Sequence, residues 1–176
     1  MDKSGKTDGT TAEDQDNAQQ VLTFVLGNET YGVDILRVQE IRGWSAVTKI
    51  PHAPPHVLGV LNLRGAIVPI VDMRMRFALA DAGYTAVTVI IVLSVHTEAG
   101  ARSVGVVVDG VSDVVSVASA AVRPAPELGA RAATDHVRGL VQLGDHMVVL
   151  LDIDRLIGAE LVGVGGEAAG AAMAAA

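Results

Sequence analysis

Four aspartates, Asp34, Asp72, Asp109 and Asp152, are the residues best suited to acid–base chemistry, because carboxylates held close together titrate apart and can divide the roles of acid and base. Their setting argues for another use. Each stands where a predicted strand ends. Asp72 and Asp152 also occupy equivalent places in two similar segments, as a helix cap used twice does and a catalytic group needed once does not. His52 and His56 have the spacing with which a helix presents two imidazoles to a metal, yet Pro54 and Pro55 lie between them and break any such helix. His96, His136 and His146 are dispersed, there is no cysteine, and no serine sits in a Gly-x-Ser-x-Gly turn. Gly163-Val164-Gly165-Gly166 follows a predicted helix rather than a strand and lacks the spacing of a phosphate cradle. Asn28-Glu29-Thr30 has the form of a glycosylation acceptor, but a hairpin turn accounts for the asparagine. No catalytic residue, metal or cofactor is expected.

The elements that carry these residues follow from composition. The chain has 176 residues, half of them hydrophobic, which suits one ordinary domain or two small ones. Valine occurs 28 times against 9 isoleucines, and β-branched side chains fit a pleated, half-buried surface, so the fold class expected is all-β. Only 3% of residues are aromatic, and 13 basic residues face 20 acidic ones, which disfavours nucleic acid as a partner. The absence of cysteine fits a reducing compartment. The longest uncharged stretch of the β-rich region, Ala82 to Thr97, spans 16 residues and includes Thr85, Thr88, Ser94 and His96, too short and too polar for a membrane span. Met1 to Gln20 has no apolar centre for an export signal, so a cytoplasmic location is expected.

Three regions are expected. Residues 1–20 contain no Val, Leu, Ile or aromatic residue and read as a disordered tail; 161–176 collapse to Gly and Ala and read as a second tail. The domain between them, 21–160, repeats itself. His56-Val57-Leu58-Gly59 shifted by 80 positions meets His136-Val137-Arg138-Gly139, and Leu63, Val68 and Asp72 then meet Leu143, Val148 and Asp152. A weaker echo at a shift of 73 aligns Gly32-Val33, Val38, Glu40 and Ile41 with Gly105-Val106, Val111, Asp113 and Val114. The reading is a duplicated β unit, with one subdomain at about 21–80 and the other at about 81–160, each too small to be comfortable without the other. Alternation and turn residues predict strands at Leu22 to Leu26, Thr30 to Ile35, Val38 to Arg42, Val57 to Leu63, Ala66 to Val71, Val87 to Val95, Ser103 to Asp109 and Val111 to Val117. A polar loop is expected over His96 to Arg102, and short helices over Met73 to Leu79 and Ile153 to Leu161, capped by Asp72 and Asp152. Arg64 falls at a hairpin tip and Glu40 on an outer strand, where they could orient a partner laid against the surface.

The segments Tyr31 to Gly43, Asn62 to Asp72 and Val107 to Val114, extended by Arg123-Pro124-Ala125-Pro126-Glu127, Gly139-Leu140 and Gly144-Asp145, resemble the CheW family of bacterial chemotaxis coupling proteins, in order and over essentially all of Val21 to Glu160. The resemblance implies two SH3-like five-stranded β-barrel subdomains packed together, with short helices. It implies a non-enzymatic adaptor that couples transmembrane chemoreceptors to the chemotaxis histidine kinase, recruited to the inner face of the membrane through the receptors. Receptor binding is implied for the positions of Val38, Glu40, Gly59, Arg64 and Val89, on which a cytoplasmic helical hairpin of the receptor would dock. Kinase binding, through the kinase's regulatory domain, is implied for the region of Arg123 and Leu128, where the family often has an aromatic residue at the latter position. Two alternatives stand beside this: a small-molecule-binding barrel that uses the groove between the subdomains, and a coupling protein of a related pathway unconnected with motility. A binder would enclose a pocket of convergent polar groups, whereas an adaptor would show an open surface with an apolar floor.

Overall fold

The computed structural model describes residues 18–79, 83–126, 135–158 and 161. They form ten strands: β1 (Ala18–Leu26), β2 (Glu29–Asp34), β3 (Val38–Gly43), β4 (Val57–Leu63), β5 (Ala66–Asp72), β6 (Val89–Thr97), β7 (Gly100–Val108), β8 (Gly110–Ala118), β9 (Val137–Leu143) and β10 (His146–Leu151). Two short helices, α1 (Met73–Arg76) and α2 (residues 153–158), follow β5 and β10, and 3₁₀ turns occupy Ile35–Arg37 and Ser119–Ala121. Two five-stranded sheets result, in the orders β8-β1-β2-β10-β9 and β3-β6-β7-β5-β4. The second uses one unbroken stretch of chain and is here termed the central barrel; the first joins the two ends of the chain and is termed the terminal barrel. Among the described residues no helix is long and apolar enough to cross a membrane.

Each sheet is closed by one reciprocal pair of backbone hydrogen bonds. In the central barrel Thr48 and Val60 exchange N–H···O bonds of 3.0 and 2.8 Å, and in the terminal barrel Arg123 and Leu140 do so at 2.8 and 2.7 Å. A glycine stands at each closure. A Cβ on Gly59, whose φ is +149°, would lie 2.0 Å from the Thr48 carbonyl oxygen, and one on Gly139 would lie 2.7 Å from that of Arg123. These two residues are partners in the 80-residue repeat, and the physical reason they match is that both let the returning chain touch the sheet edge.

The duplication is present, but the barrels are not its two halves. Replacing β1 to β5 by β6 to β10 converts the strand order of one sheet into that of the other, so each barrel takes a leading hairpin from one copy and a final hairpin from the other. The parallel contacts that join them match residue for residue, with Leu150 beside Gly32 and Ile70 beside Gly105. The expected division near residue 80 therefore does not coincide with the division between the sheets. Two further expectations change. Ala18, Gln19 and Gln20, assigned to the tail, pair with Ala118, Val117 and Ser116, because the edge of β8 supplies backbone partners that side-chain hydrophobicity does not register. The loop expected over His96 to Arg102 is instead mostly ladder, since β6 and β7 stay paired to Thr97 and Gly100 and only a tight turn joins them. The remaining tail residues and the expected helix beyond 158, apart from 161, lie outside the described residues.

Apolar residues fill three layers. Alternate residues of β6 explain how: Ile90 and Val92 point into the central barrel with Val68, Ile70 and Val107, while Ile91, Leu93 and Val95 point into a seam between the barrels. Leu22, Phe24, Leu26 and Val33 approach that seam from the terminal barrel, whose own interior holds Val21, Val117, Val141, Val148 and Leu150. A column of rings crosses the molecule here: Phe24 stacks on Tyr31, Tyr31 on Phe77 and Phe77 on His136. Burial, followed by the nearby positive charge of Arg76, holds the His136 pKa below the ordinary imidazole value, while burial and then Glu29 raise that of Tyr31.

Two predictions follow from these contacts. Gly59→Ala should destabilise the protein by about 2–4 kcal/mol, whereas Gly43→Ala, which meets open space, should stay within about 0.5 kcal/mol, both measured by urea unfolding. Because the folded state disfavours protonated His136, the unfolded chain binds the extra proton as pH falls below the ordinary imidazole pKa, and stability declines through that window until the lowered folded-state pKa is passed. Urea midpoints from pH 8 to pH 5 should show a shallower decline for His136→Phe, which keeps the stack; identical slopes would remove His136 as a cause.

Candidate functional site

The docking residues expected from the sequence cluster around β3, an edge strand whose ladder runs only to β6. Residues directly opposed across a ladder share a face. Val38 opposes Leu93, Ile41 opposes Ile91, and Val89 opposes Gly43, so Val38, Ile41 and Val89 lie on the seam side of the sheet. Val38 and Val89 are half-buried against the seam cluster at opposite ends of the ladder, roughly 15 Å apart, or about three turns of a helix. Between them Ile41 is 44% exposed, and ahead of them Leu36, in the 3₁₀ turn, is 86% exposed. Neither was singled out as a binding residue in the sequence, although Ile41 stands beside Glu40 in the 73-residue echo.

Glu40 opposes Val92 and thus belongs to the other face of β3, the side of the barrel interior. Barrel closure carries the β4–β5 tip to this strand, and Arg64 Nη2 lies 3.8 Å from Glu40 Oε2. The tip is tightly made: Arg64 adopts φ +54°, Gly65 +87°, and the Gly65 N–H donates to Asn62 Oδ1. With Arg64 87% exposed, the pair adds little stability and its charges stay accessible. Gly59 differs from what the resemblance implies. It is buried beneath Thr48 and Lys49, so the close approach it permits is that of the chain's own backbone, and it shapes the surface without presenting itself to a partner. Arg123 has an exposed side chain while its backbone closes the terminal barrel; Leu128 lies outside the described residues.

The four aspartates all serve as hydrogen-bond acceptors for backbone amides. Asp34 accepts from Leu36 N–H, Asp72 from Arg74 N–H, Asp109 from Gly27 N–H and Asp152 from Arg155 N–H. Two of them also belong to charged junctions between the barrels that the sequence reading did not reveal. At one junction Arg74, on α1, forks onto both oxygens of Asp72 at 3.1 and 3.0 Å and reaches Asp109, at the crossover from β7 to β8, at 3.3 Å. Its guanidinium lies 5.1 Å from the Tyr84 ring centre, and Tyr84 stacks flat on Trp44 at 3.9 Å. The bond to Asp72 is the main reason the Arg74 pKa is raised. At the other junction Asp154, on α2, accepts both arms of Arg37, at the crossover from β2 to β3, at 3.1 and 2.8 Å. Asp109 also receives the Gly27 N–H near the β1–β2 tip, and Asp154 receives the His96 N–H near the β6–β7 tip. Arg74 and Asp154 are 80 residues apart, so the repeat uses one junction twice with the charges exchanged.

Two clefts adjoin these junctions. One, of about 340 Å³, is lined by Asp34, Arg37, Arg138, Asp152 and Asp154 among others; the second, of about 430 Å³, by Asp72, Arg74, Met75, Leu79 and Tyr84 among others. Their central charges are already paired with each other, Arg37 with Asp154 and Arg74 with Asp72, so neither offers a set of polar groups converging on a ligand. Among the described residues no group of three or more His, Cys, Asp or Glu could hold a metal ion.

Comparison with known proteins places this architecture. Residues 20–161 match the family model described as CheW-like domain. The Chemotaxis protein CheW of Klebsiella aerogenes is 51% identical over 142 residues, covering 81% of this chain and 83% of that protein. That of Rhizobium meliloti is 37% identical over 142 residues, covering 81% and 89%. The crystal structure of the scaffolding protein TtCheW from Thermoanaerobacter tengcongensis superposes with a TM-score of 0.70 at 28% identity, covering 80% of this chain and 92% of that one.

The buried junction gives a direct test of its weight. Arg74→Ala leaves Asp72 buried without its counter-charge and should cost about 3–5 kcal/mol, while Arg155→Ala, which removes an exposed partner of Asp152 at 3.7 Å, should cost less than about 1 kcal/mol, both read from chemical denaturation.

Proposed function

The chain belongs to the CheW family, and from that premise we propose that it is a chemotaxis adaptor that couples transmembrane chemoreceptors to the chemotaxis histidine kinase and helps control the kinase. It works by docking and turns over no substrate. The receptor side is a cytoplasmic helical hairpin, which lies along β3. Val38, Ile41 and Val89 form its apolar floor, and Glu40 with Arg64 engage polar groups at the free edge of the strand. Because the floor and the charged pair occupy opposite faces of β3, the receptor helix straddles that edge and reads both. The kinase side is the regulatory domain, met by the terminal barrel around Arg123 and Leu128. Receptors then bring the adaptor from the cytoplasm to the inner face of the membrane.

The observation that carries this reading is the open, edge-strand setting of β3, where exposed Ile41 and a solvent-accessible ion pair stand side by side. The same observation disfavours a small-molecule barrel, which would need an enclosed pocket with convergent polar groups. Contacts of this size are individually weak, so occupancy depends on receptor and kinase being held together in one assembly.

Arg64→Glu places two carboxylates together and should abolish capture of a receptor signalling fragment in a pull-down while capture of the kinase regulatory domain persists. Arg64→Asn removes the charge, keeps a residue that tolerates positive φ, and should weaken receptor capture without unfolding the tip. Undiminished capture by both variants would place the receptor site elsewhere.

A further inference from the structure

We propose that Arg37 and Asp154 are positioning residues for the docking strand, a clasp that sets where β3 begins relative to the terminal barrel; this rests on the reading of β3 as the receptor surface. The crossover between Asp34 and Val38 is the point at which the chain leaves one barrel for the other, and it delivers Leu36, Val38 and Glu40 in quick succession. Its own fastenings are few. The 3₁₀ turn fully buries none of its residues; half-buried Ile35 rests on the seam, the Val38 N–H donates to the Ile35 carbonyl, and Asp34 secures the Leu36 amide. Arg37 adds the polar ties to other elements: Nη1 and Nη2 fork onto the two oxygens of Asp154, and Nη1 also donates to the Ser94 carbonyl at 3.2 Å. Asp154 in turn holds the His96 N–H at 2.7 Å, with His96 Nδ1 3.8 Å from its other oxygen. One carboxylate thereby binds the crossover, α2 and β6 into a single unit just before the docking strand starts.

The matching junction in the other copy sets the comparison. There the helix residue Arg74 and the crossover residue Asp109 are 4% and 25% exposed, with Asp72, 3% exposed, backing the guanidinium, whereas Asp154 and Arg37 are 30% and 26% exposed. The crossover residues themselves are equally exposed; what differs is the helix side, where a buried guanidinium anchors the crossover into β8 and a carboxylate that water and salt reach anchors the crossover into β3. A bidentate guanidinium–carboxylate pair has a defined geometry even where its net energy is modest, which suits it to orientation more than to global stability.

The test uses the full-length protein with Arg37→Gln, Asp154→Asn and the double variant, measured by amide hydrogen exchange and by titration with a receptor signalling fragment and, separately, the kinase regulatory domain. Each single variant should speed exchange of the β3 amides at least tenfold with the β4–β5 hairpin unchanged, and weaken receptor-fragment binding five- to twentyfold with kinase-domain binding within twofold. The double variant should resemble either single one, and Arg37→Lys, which retains charge without the fork, should fall between. Exchange that is unchanged, or faster in all strands alike, would overturn the clasp, as would parental receptor affinity in a variant whose β3 has loosened. If the parent itself fails to bind the receptor fragment, the docking reading fails, and the exchange measurement still decides whether the pair holds the strand.

Discussion

The seam between the barrels is the constraint on which the remaining structure depends. Each barrel interior is small, a handful of valines, leucines and isoleucines, and a unit of that size exposes too much of its surface to stand alone. The leading hairpins meet this by being apolar on both faces: β1 gives Val21 to its own barrel and Leu22, Phe24 and Leu26 to the seam, and β6 divides its residues in the same way. The third strand of each copy pairs beside the other copy's hairpin, β3 beside β6 and β8 beside β1, so the chain crosses between sheets at the same place in both copies. The charged junctions sit at those crossings, where buried or half-buried backbone needs partners that apolar packing cannot provide.

Duplication explains how one scaffold acquires a single specialised edge. Ile41 and its repeat partner Val114 are each 44% exposed, so both edge strands present an apolar residue at the same place. Their surroundings differ. Beside Ile41 stand Glu40 and, across the closure, Arg64; the matching positions near Val114 are Asp113 and Gly144. A mixed-charge pair thus flanks the exposed apolar residue of β3 and has no equivalent at the matching place on β8. The two junctions also carry reversed charges, with Arg74 reaching Asp109 in one and Asp154 receiving Arg37 in the other, so a charged contact recurs at each crossing with different residues in the two roles.

Much of this was legible in the residues. The strand from Val57 to Leu63, the Arg64-Gly65 turn and the capping by Asp72 and Asp152 follow from the residues alone, because period-two alternation, turn dipeptides and cap residues act over a few positions. The repeat was visible because Gly59 and Gly139, and Gly32 and Gly105, answer the same steric demand twice. What escaped depends on distance in the chain. The exchange of strands between copies leaves no mark on either copy's own pattern. The pairing of Arg37 with Asp154 spans 117 positions, and nothing local distinguishes those residues from solvated charges. Ile41 looked like any strand isoleucine, since its exposure follows from β3 lying at the edge of its sheet, a fact of topology.

The exchanged strands also bear on the order in which the molecule can assemble during synthesis. All five strands of the central barrel lie between Val38 and Val108, so a nascent chain has every ladder partner of that barrel soon after those residues leave the ribosome. The β1–β2 hairpin emerges before that barrel yet must wait for β8, β9 and β10, which follow it, before it has a sheet to join. Until then its seam-facing Leu22, Phe24 and Leu26 have the seam face of β6 and β7 to rest against. The early hairpin and the central barrel can thereby cover each other's seam faces before the remaining strands arrive, which shortens the interval with an exposed apolar ribbon.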